Sequence, residues 1–373
     1  MRKIAIIGAS FGQKDLCIKA KEMGLYTICF AWEKGALCKD IVDRFYPISI
    51  IEKERIVEAC KKEKIDGVIT NASDLPTEIS AYVSEQLGLI GNPYETIKTI
   101  EDKSYCRKIT QTIEGLSSVD YYLYDYDKAH FLPCVIKPKS GGGKTGVSFA
   151  TDNRSFEEAI SYAQSVSDED ILVEEYVEGN EVSVESISYQ GKHYVVQVTD
   201  KDNSGPPHFV ELGHHQPSAL SVELRRKISI VVKQILEKIG FMNGASHVEL
   251  RVTNNQIYLI EVNPRGGGDH ISNKLVSLST GYDYVKAMID VALGQFEEPV
   301  IVNSAYSGIY FLCKQTEYLL PLFDSCEKKD WIIEKEWDHN ELEESKGNST
   351  RNGYLIYRAG NKISLKNELS DRK

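Results

Sequence analysis

The chain lacks any apolar run near the roughly 18 residues that a membrane-spanning helix needs, and the run at residues 4–7 is too short for a secretory signal. A soluble cytoplasmic protein with no membrane partner is therefore expected. Basic charge is also scarce: 44 Lys and Arg face 55 Asp and Glu, a formal net charge of −11. That balance disfavours a nucleic-acid partner and leaves small molecules as the expected ones. The eight cysteines include no Cys-x-x-Cys pair, and most sit in apolar runs where a thiol acts as a small hydrophobe. Neither a zinc framework nor a disulfide scaffold is supported. The turn Gly8-Ala9-Ser10-Phe11-Gly12 misses the G-x-G-x-x-G spacing of a dinucleotide site, and the Walker A order is absent around Gly143-Lys144-Thr145. Glycine (27) and proline (11) are too few for low complexity, so the whole chain is expected to fold.

What is present is a chain of 373 residues, 42% of them hydrophobic, enough for two or three domains with real cores. From 1 to 97, apolar runs alternate with helical patterns, which predicts βαβ units and a Rossmann-like parallel sheet. From 98 to 177 a charged helix over residues 101–112 precedes short strands and one helix, a small α+β module. From 178 to 373 alternating strands surround a long helix at residues 221–239, and Asn254-Asn255 between apolar alternations signals a hairpin. The tail from about 320 is weakly patterned and is expected to be peripheral.

Three stretches carry chemistry. Residues 135–147 read as a strand ending in Lys137, a loop with Gly141, Gly142 and Gly143, and a second strand. Consecutive glycines let backbone N–H groups converge on phosphate oxygens, although a flexible hairpin tip reads the same way. In Glu174-Glu175-Tyr176-Val177, followed by Glu181, a strand could offer backbone groups to an adenine edge and a carboxylate to ribose hydroxyls; solvated acids are the alternative. Finally, Glu261 and Asn263 share one face of a strand, and the Asn254-Asn255 hairpin can bring Glu249 opposite them. Three hard oxygen donors on one face suit Mg²⁺.

Together, in this order and spacing, these motifs resemble the ATP-grasp superfamily over roughly residues 1–300. The resemblance implies an ATP-grasp fold: an N-terminal Rossmann-like domain (1–97), a central lid subdomain (98–177) and a C-terminal antiparallel-sheet subdomain (178–373). It implies ATP with Lys103 and Lys137 on its phosphates, residues 174–177 on adenine and Glu181 on ribose. Glu249, Glu261 and Asn263 would hold Mg²⁺, with Mn²⁺ as an alternative. Arg265 becomes the candidate catalytic residue, steadying an acyl-phosphate. The segments at 207–218 and 263–270 resemble the L-amino-acid (dipeptide) ligase branch, in which Glu211, His214, Arg265, Gly267 and Gly268 would meet substrate; a polar loop with a capping His is the alternative for the first pair. The implied reaction joins a carboxylate to an amine through an acyl-phosphate, and a homodimer is an allowed assembly. Two rivals remain. Asp269, four residues after Arg265, sits where biotin-carboxylase-like members place the base for bicarbonate, and a nucleotide-binding regulator without turnover is the third reading.

Overall fold

The computed structural model describes residues 1–125, 131–302, 304–325, 329–345 and 347–365. Cys326 and the end of the tail fall outside them. The first sheet is parallel, built from β1 (Lys3–Ile7), β2 (Tyr26–Phe30), β3 (Arg44–Tyr46) and β4 (Gly67–Ile69) in the order β3-β2-β1-β4. Helix α1 (Phe11–Glu22) connects β1 to β2 and α2 (Lys53–Glu63) connects β3 to β4, as the alternating pattern predicts, and α3 (Asp74–Leu87) follows β4.

The single helix expected over residues 101–112 is two helices, α4 (Tyr94–Glu101) and α5 (Lys103–Thr110). Asp102 causes the break: its backbone is extended and its carboxylate accepts from the N–H groups of Ser104 (2.8 Å) and Tyr105 (3.0 Å). An Asp that caps a new helix competes with continuing the old one, and the break puts Lys103 in the first turn of α5. Next comes a four-stranded antiparallel sheet of β5 (Tyr121–Leu123), β6 (Cys134–Pro138), β7 (Ser148–Ala150) and β8 (Ile171–Glu175), covered by α6 (Asn153–Val166).

The third sheet has eight antiparallel strands. These are β9 (Asn180–Tyr189), β10 (Lys192–Asn203), β11 (Glu211–Gln216), β12 (Gly244–Thr253), β13 (Gln256–Asn263), β14 (Tyr306–Leu312), β15 (Ile332–Trp337) and β16 (Gly353–Ala359). Helix α7 (Val222–Lys238) lies between β11 and β12 in the chain, and α8 (Val276–Thr280) and α9 (Tyr284–Ala292) precede β14. Asn254 and Asn255 take φ of 47° and 65°, the left-handed pair that a tight hairpin between β12 and β13 requires. The tail is not peripheral: β15 and β16 continue the sheet, and Leu355 and Tyr357 are fully buried. Its mixed charge hid β16, which is covered on both faces, with Leu355 and Tyr357 in one core cluster and Ile356 in another. The segment read alternatively as a polar loop around Glu211 and His214 is strand β11, paired on both edges.

Strand alternation gives the large sheet two unlike faces. Val182, Val184, Val248, Leu250 and Val262 point one way and pack with Ile228, Val232 and Ile235 of α7. The intervening residues point the other way and align in rows across strands. Arg251, Glu181, Lys201 and His214 form one row; Glu261, Glu249 and Ser183 a second; Asn263, His247 and Glu185 a third. Among the described residues no helix is long and apolar enough to cross a membrane.

Candidate functional site

A cavity open to solvent lies between this charged face and the four-stranded antiparallel sheet. Lys103, Lys137, Gly141, Gly142 and residues 174–177 line it, as do Glu181, Glu249 and Glu261; Gly143 does not. The glycine loop turns through left-handed backbone at Gly141 (φ 99°), Gly143 (67°) and Lys144 (61°), and a Cβ on Gly142 would lie 2.6 Å from Asp74 Oδ2. Lys103 Nζ donates to the Gly141 carbonyl (2.7 Å) and pairs with Glu261 (2.8 Å), tying the loop to β13. Lys144, dismissed in the sequence as part of a chance string, reaches from the same loop to the Phe209 carbonyl (2.7 Å) and stands 3.3 Å from Glu211.

Lys137 and Glu174 form a buried ion pair (2.6 Å), and Arg107 contacts the other oxygen of Glu174 (2.8 Å). Burial would raise the Glu174 carboxyl, but Arg107 and Lys137 outweigh it and hold it below its ordinary value. The Glu174 side chain therefore neutralises two cations, and the adenine expectation for residues 174–177 rests on their backbone. The N–H groups of Glu175 and Tyr176 are also committed, to the carbonyls of Asp120 (2.8 Å) and Pro133 (3.2 Å). What faces the cavity as an apolar wall is Tyr176 and Phe209, with Phe149 packed edge-on against the Tyr176 ring and Arg251 over that ring at 5.6 Å. Glu181 is bound by Arg251 (2.8 Å) and lies 3.4 Å from Lys201.

Glu249 and Glu261 face each other directly across the β12–β13 ladder, with Asn263 two residues on, as the spacing predicts. Lys201, which nothing in the sequence marked, sits among the acids of this face, 2.8 Å from both Glu249 and Glu211. Burial opposes its charge, yet Glu211, Glu249 and Glu181 hold its pKa well above the ordinary value, and Lys201 in turn holds Glu211 and Glu249 well below theirs. His247 bridges Glu185 (2.6 Å from Nδ1) and Glu249 (3.1 Å from Nε2); against the effect of burial, the two carboxylates raise it to about 9. Arg265 donates through Nε to Asp74 (2.5 Å) and through Nη2 to Asn263 Oδ1 (3.1 Å), a fork that joins α3 to the end of β13.

Glu211, His214 and Asp269, weighed in the sequence as signatures of two different enzymes, occupy one cluster. His214 Nε2 is 3.1 Å from Glu211 and 3.5 Å from Asp269. Arg351, supplied by the tail, grips Asp269 with both amino groups (2.8 and 2.6 Å) and stacks 3.6 Å from the Phe311 ring centre. Burial would raise Asp269, but Arg351 and His214 bring it down to about 2. Glu211, His214 and Asp269 present ligand atoms within 4.8 Å of one another. Lys201 and Lys144 pair with Glu211, and Arg351 pairs with Asp269, so the cluster is an ion-pair network in this structure.

The glycine segment after Arg265 corrects one expectation. Gly267 does not present its amide to a ligand: the N–H donates to Glu185 (3.2 Å), and a Cβ at this position would fall 2.7 Å from His247 Nδ1. Gly268 borders open space, and Asp269 and His270 follow with φ of 50° and 63°. Two successive non-glycine residues in left-handed backbone are held here by the surrounding contacts.

Residues 130–274 match the ATP-grasp domain family. The chain is 25% identical over 345 residues to the formate-dependent phosphoribosylglycinamide formyltransferase of Sulfurisphaera tokodaii, spanning 88% of this chain and 85% of that protein. It is 28% identical over 270 residues to the pyruvate carboxylase of Staphylococcus aureus, spanning 66% of this chain but only 22% of that much longer protein. Its fold superposes on the L-amino acid ligase of Bacillus licheniformis with a TM-score of 0.81 and 23% identity, covering 100% of this chain and 97% of the other.

Proposed function

We propose that the chain, whose residues 130–274 match the ATP-grasp domain family, is an ATP-dependent ligase of that superfamily joining a carboxylate to an amine, with an amino acid among its substrates. A substrate carboxylate oxygen attacks the γ-phosphorus of ATP and ADP departs; the amine then attacks the acyl carbon, phosphate leaves and the amine proton is given up. Lys103 and Lys137 line the cavity as the charges for the phosphate oxygens. Glu249, Glu261 and Asn263 are the residues that would hold Mg²⁺, and the set fits because all three are hard oxygen donors on adjoining positions of one sheet face. Bound there, the ion would supply charge neutralisation at the phosphates. The Arg265 fork, fixed by Asp74, is the group to steady the acyl-phosphate and the oxyanion that follows. The Lys144 contact with Phe209 closes the glycine loop over the cavity, which keeps water from a hydrolysable intermediate.

The observation that carries the choice of ligase is the pairing of Asp269 with Arg351. A base for bicarbonate must take up a proton, and a carboxylate held near 2 between a guanidinium and an imidazole is poorly suited to do so. Glu211 and His214, the other members of that cluster, offer an anion for a substrate ammonium and an imidazole donor for a substrate carboxylate: burial opposes charge on His214, but Asp269 and Glu211 raise its pKa. The carboxylase reading stays open because Asp269 keeps the four-residue offset from Arg265 and pyruvate carboxylases are among the relatives. The deciding experiment is ADP release from purified protein with amino-acid pairs, single amino acids and bicarbonate, with mass analysis of the product. Amide formation supports the ligase; bicarbonate-stimulated ADP release with no amide from any pair contradicts it.

A further inference from the structure

One fully buried carboxylate has no part in the chemistry above. Glu185 lies in the middle of β9 with no exposed surface, where a charge is costly unless each oxygen is satisfied. Each is. Oε1 meets His247 Nδ1 at 2.6 Å and accepts from Ser183 Oγ at 3.3 Å; Oε2 accepts the Gly267 N–H at 3.2 Å. From His247 the chain of contacts continues to Glu249 at 3.1 Å, and from Gly267 it runs two residues back to Arg265. The close approach of Gly267 to both His247 and Glu185 leaves no room for a side chain there.

We propose that Glu185 is a positioning residue that sets two ends of the site at once: through His247 it orients Glu249, and through the Gly267 amide it fixes the loop that carries Arg265 and Asp269. The inference rests on the ligase reading for the names of those ends, but its geometry does not. A carboxylate satisfied wholly within its own sheet would tie no loop to it. This one reaches out of the sheet to a loop, and its other oxygen is linked through His247 to a carboxylate lining the cavity. Hydrogen-bonded partners behind a metal ligand typically govern affinity by about 10- to 100-fold, and a shared partner makes the two ends respond together.

The test uses the full chain and MgADP as the probe, so it needs no knowledge of the substrate. MgADP affinity is read by calorimetry, and the exchange of backbone amides in the peptide containing Gly267 by mass spectrometry. Glu185→Gln leaves an amide NH₂ facing a donor on one side. It should weaken MgADP by about tenfold or more and speed exchange at the Gly267 peptide. His247→Asn removes the imidazole from both Glu249 and Glu185 Oε1 but leaves Glu185 Oε2 as the acceptor of the Gly267 N–H, so it should weaken MgADP comparably while the Gly267 peptide stays protected. Unchanged MgADP affinity in His247→Asn, or unchanged Gly267 exchange in a folded Glu185→Gln, overturns the proposal. Should Glu185→Gln fail to fold, the His247→Asn pair of readings decides alone. A wild-type protein that binds no MgADP contradicts the ligase reading itself, and is told apart from failure of the coupling because the variants are then compared by exchange only: Gly267 protection lost in Glu185→Gln would keep the loop-anchoring arm, and protection retained would remove it.

Discussion

The guanidinium of Arg351 holds the carboxylate of Asp269 by two hydrogen bonds, across 82 positions of sequence, at 2.8 and 2.6 Å. The pair joins the tail to the turn that follows Arg265, so a segment that reads as peripheral closes one side of the site. It also alters what a substitution at Asp269 means.

From the sequence alone, Asp269→Asn is expected to be mild in a ligase. With Arg351 at 10% side-chain exposure, an asparagine would leave the guanidinium short of its counter-charge and turn an NH₂ toward it. Breaking a pair buried to this degree costs about 3 kcal/mol, so Asp269→Asn should lower the denaturant midpoint clearly and activity with it. A midpoint matching wild type would show that the pair contributes nothing to the fold.

For Lys137→Ala the sequence predicts loss of turnover with the fold intact. The structure predicts both losses, because the lysine is buried against Glu174 and its removal leaves that carboxylate to Arg107 alone. A stability loss of about 3 kcal/mol in urea unfolding is expected, together with undetectable ADP release. Normal stability with lost turnover would mean that Arg107 suffices.

Glu101, at the end of α4, has a buried oxygen without a hydrogen-bond partner, and burial, then Asp74 and Glu78, raise its carboxyl to about 7. A carboxyl raised in the folded state favours the neutral form. Its contribution to stability is present below the unfolded value of 4.5 and is lost as pH rises through 7. Glu101→Gln should therefore gain on wild type between those limits, by about 1–2 kcal/mol after allowing for partial exposure. Parallel stability–pH curves for the two proteins would remove the assignment.

Arg265→Lys replaces a fork that reaches Asp74 and Asn263 with a single point charge. A fall in kcat of at least about tenfold with ATP affinity little changed is expected. Collapse of ATP affinity with kcat preserved would make Arg265 a nucleotide residue.

How much of this the sequence disclosed follows from the range of each interaction. The parallel sheet, the Asn254-Asn255 hairpin and the juxtaposition of Glu249 with Glu261 are set by alternation and turn chemistry within a few residues, and were legible. Lys201, His247, Arg107, Asp74 and Arg351 were not. Each is an ordinary residue in its own segment and acquires its role from a partner on another strand or helix, up to 191 positions away for Asp74 and Arg265. One signal was available for some of them: polar and charged residues at two-residue spacing in strands otherwise apolar, as at Glu181, Ser183 and Glu185, mark a buried polar face and deserve the same weight wherever they recur. The break at Asp102 was also readable, since an Asp followed by Lys-Ser-Tyr is a helix start as much as a helix interior.

The central claim is that a carboxylate is activated by phosphoryl transfer and captured by an amine. It is tested most directly by incubating the purified chain with MgATP and amino acids labelled with ¹⁸O in the carboxylate, then measuring label in the released phosphate and the mass of the organic product. The account predicts labelled phosphate formed in step with an amide. Labelled phosphate that appears only from ¹⁸O-bicarbonate, with no amide formed from any amino-acid pair, would contradict it.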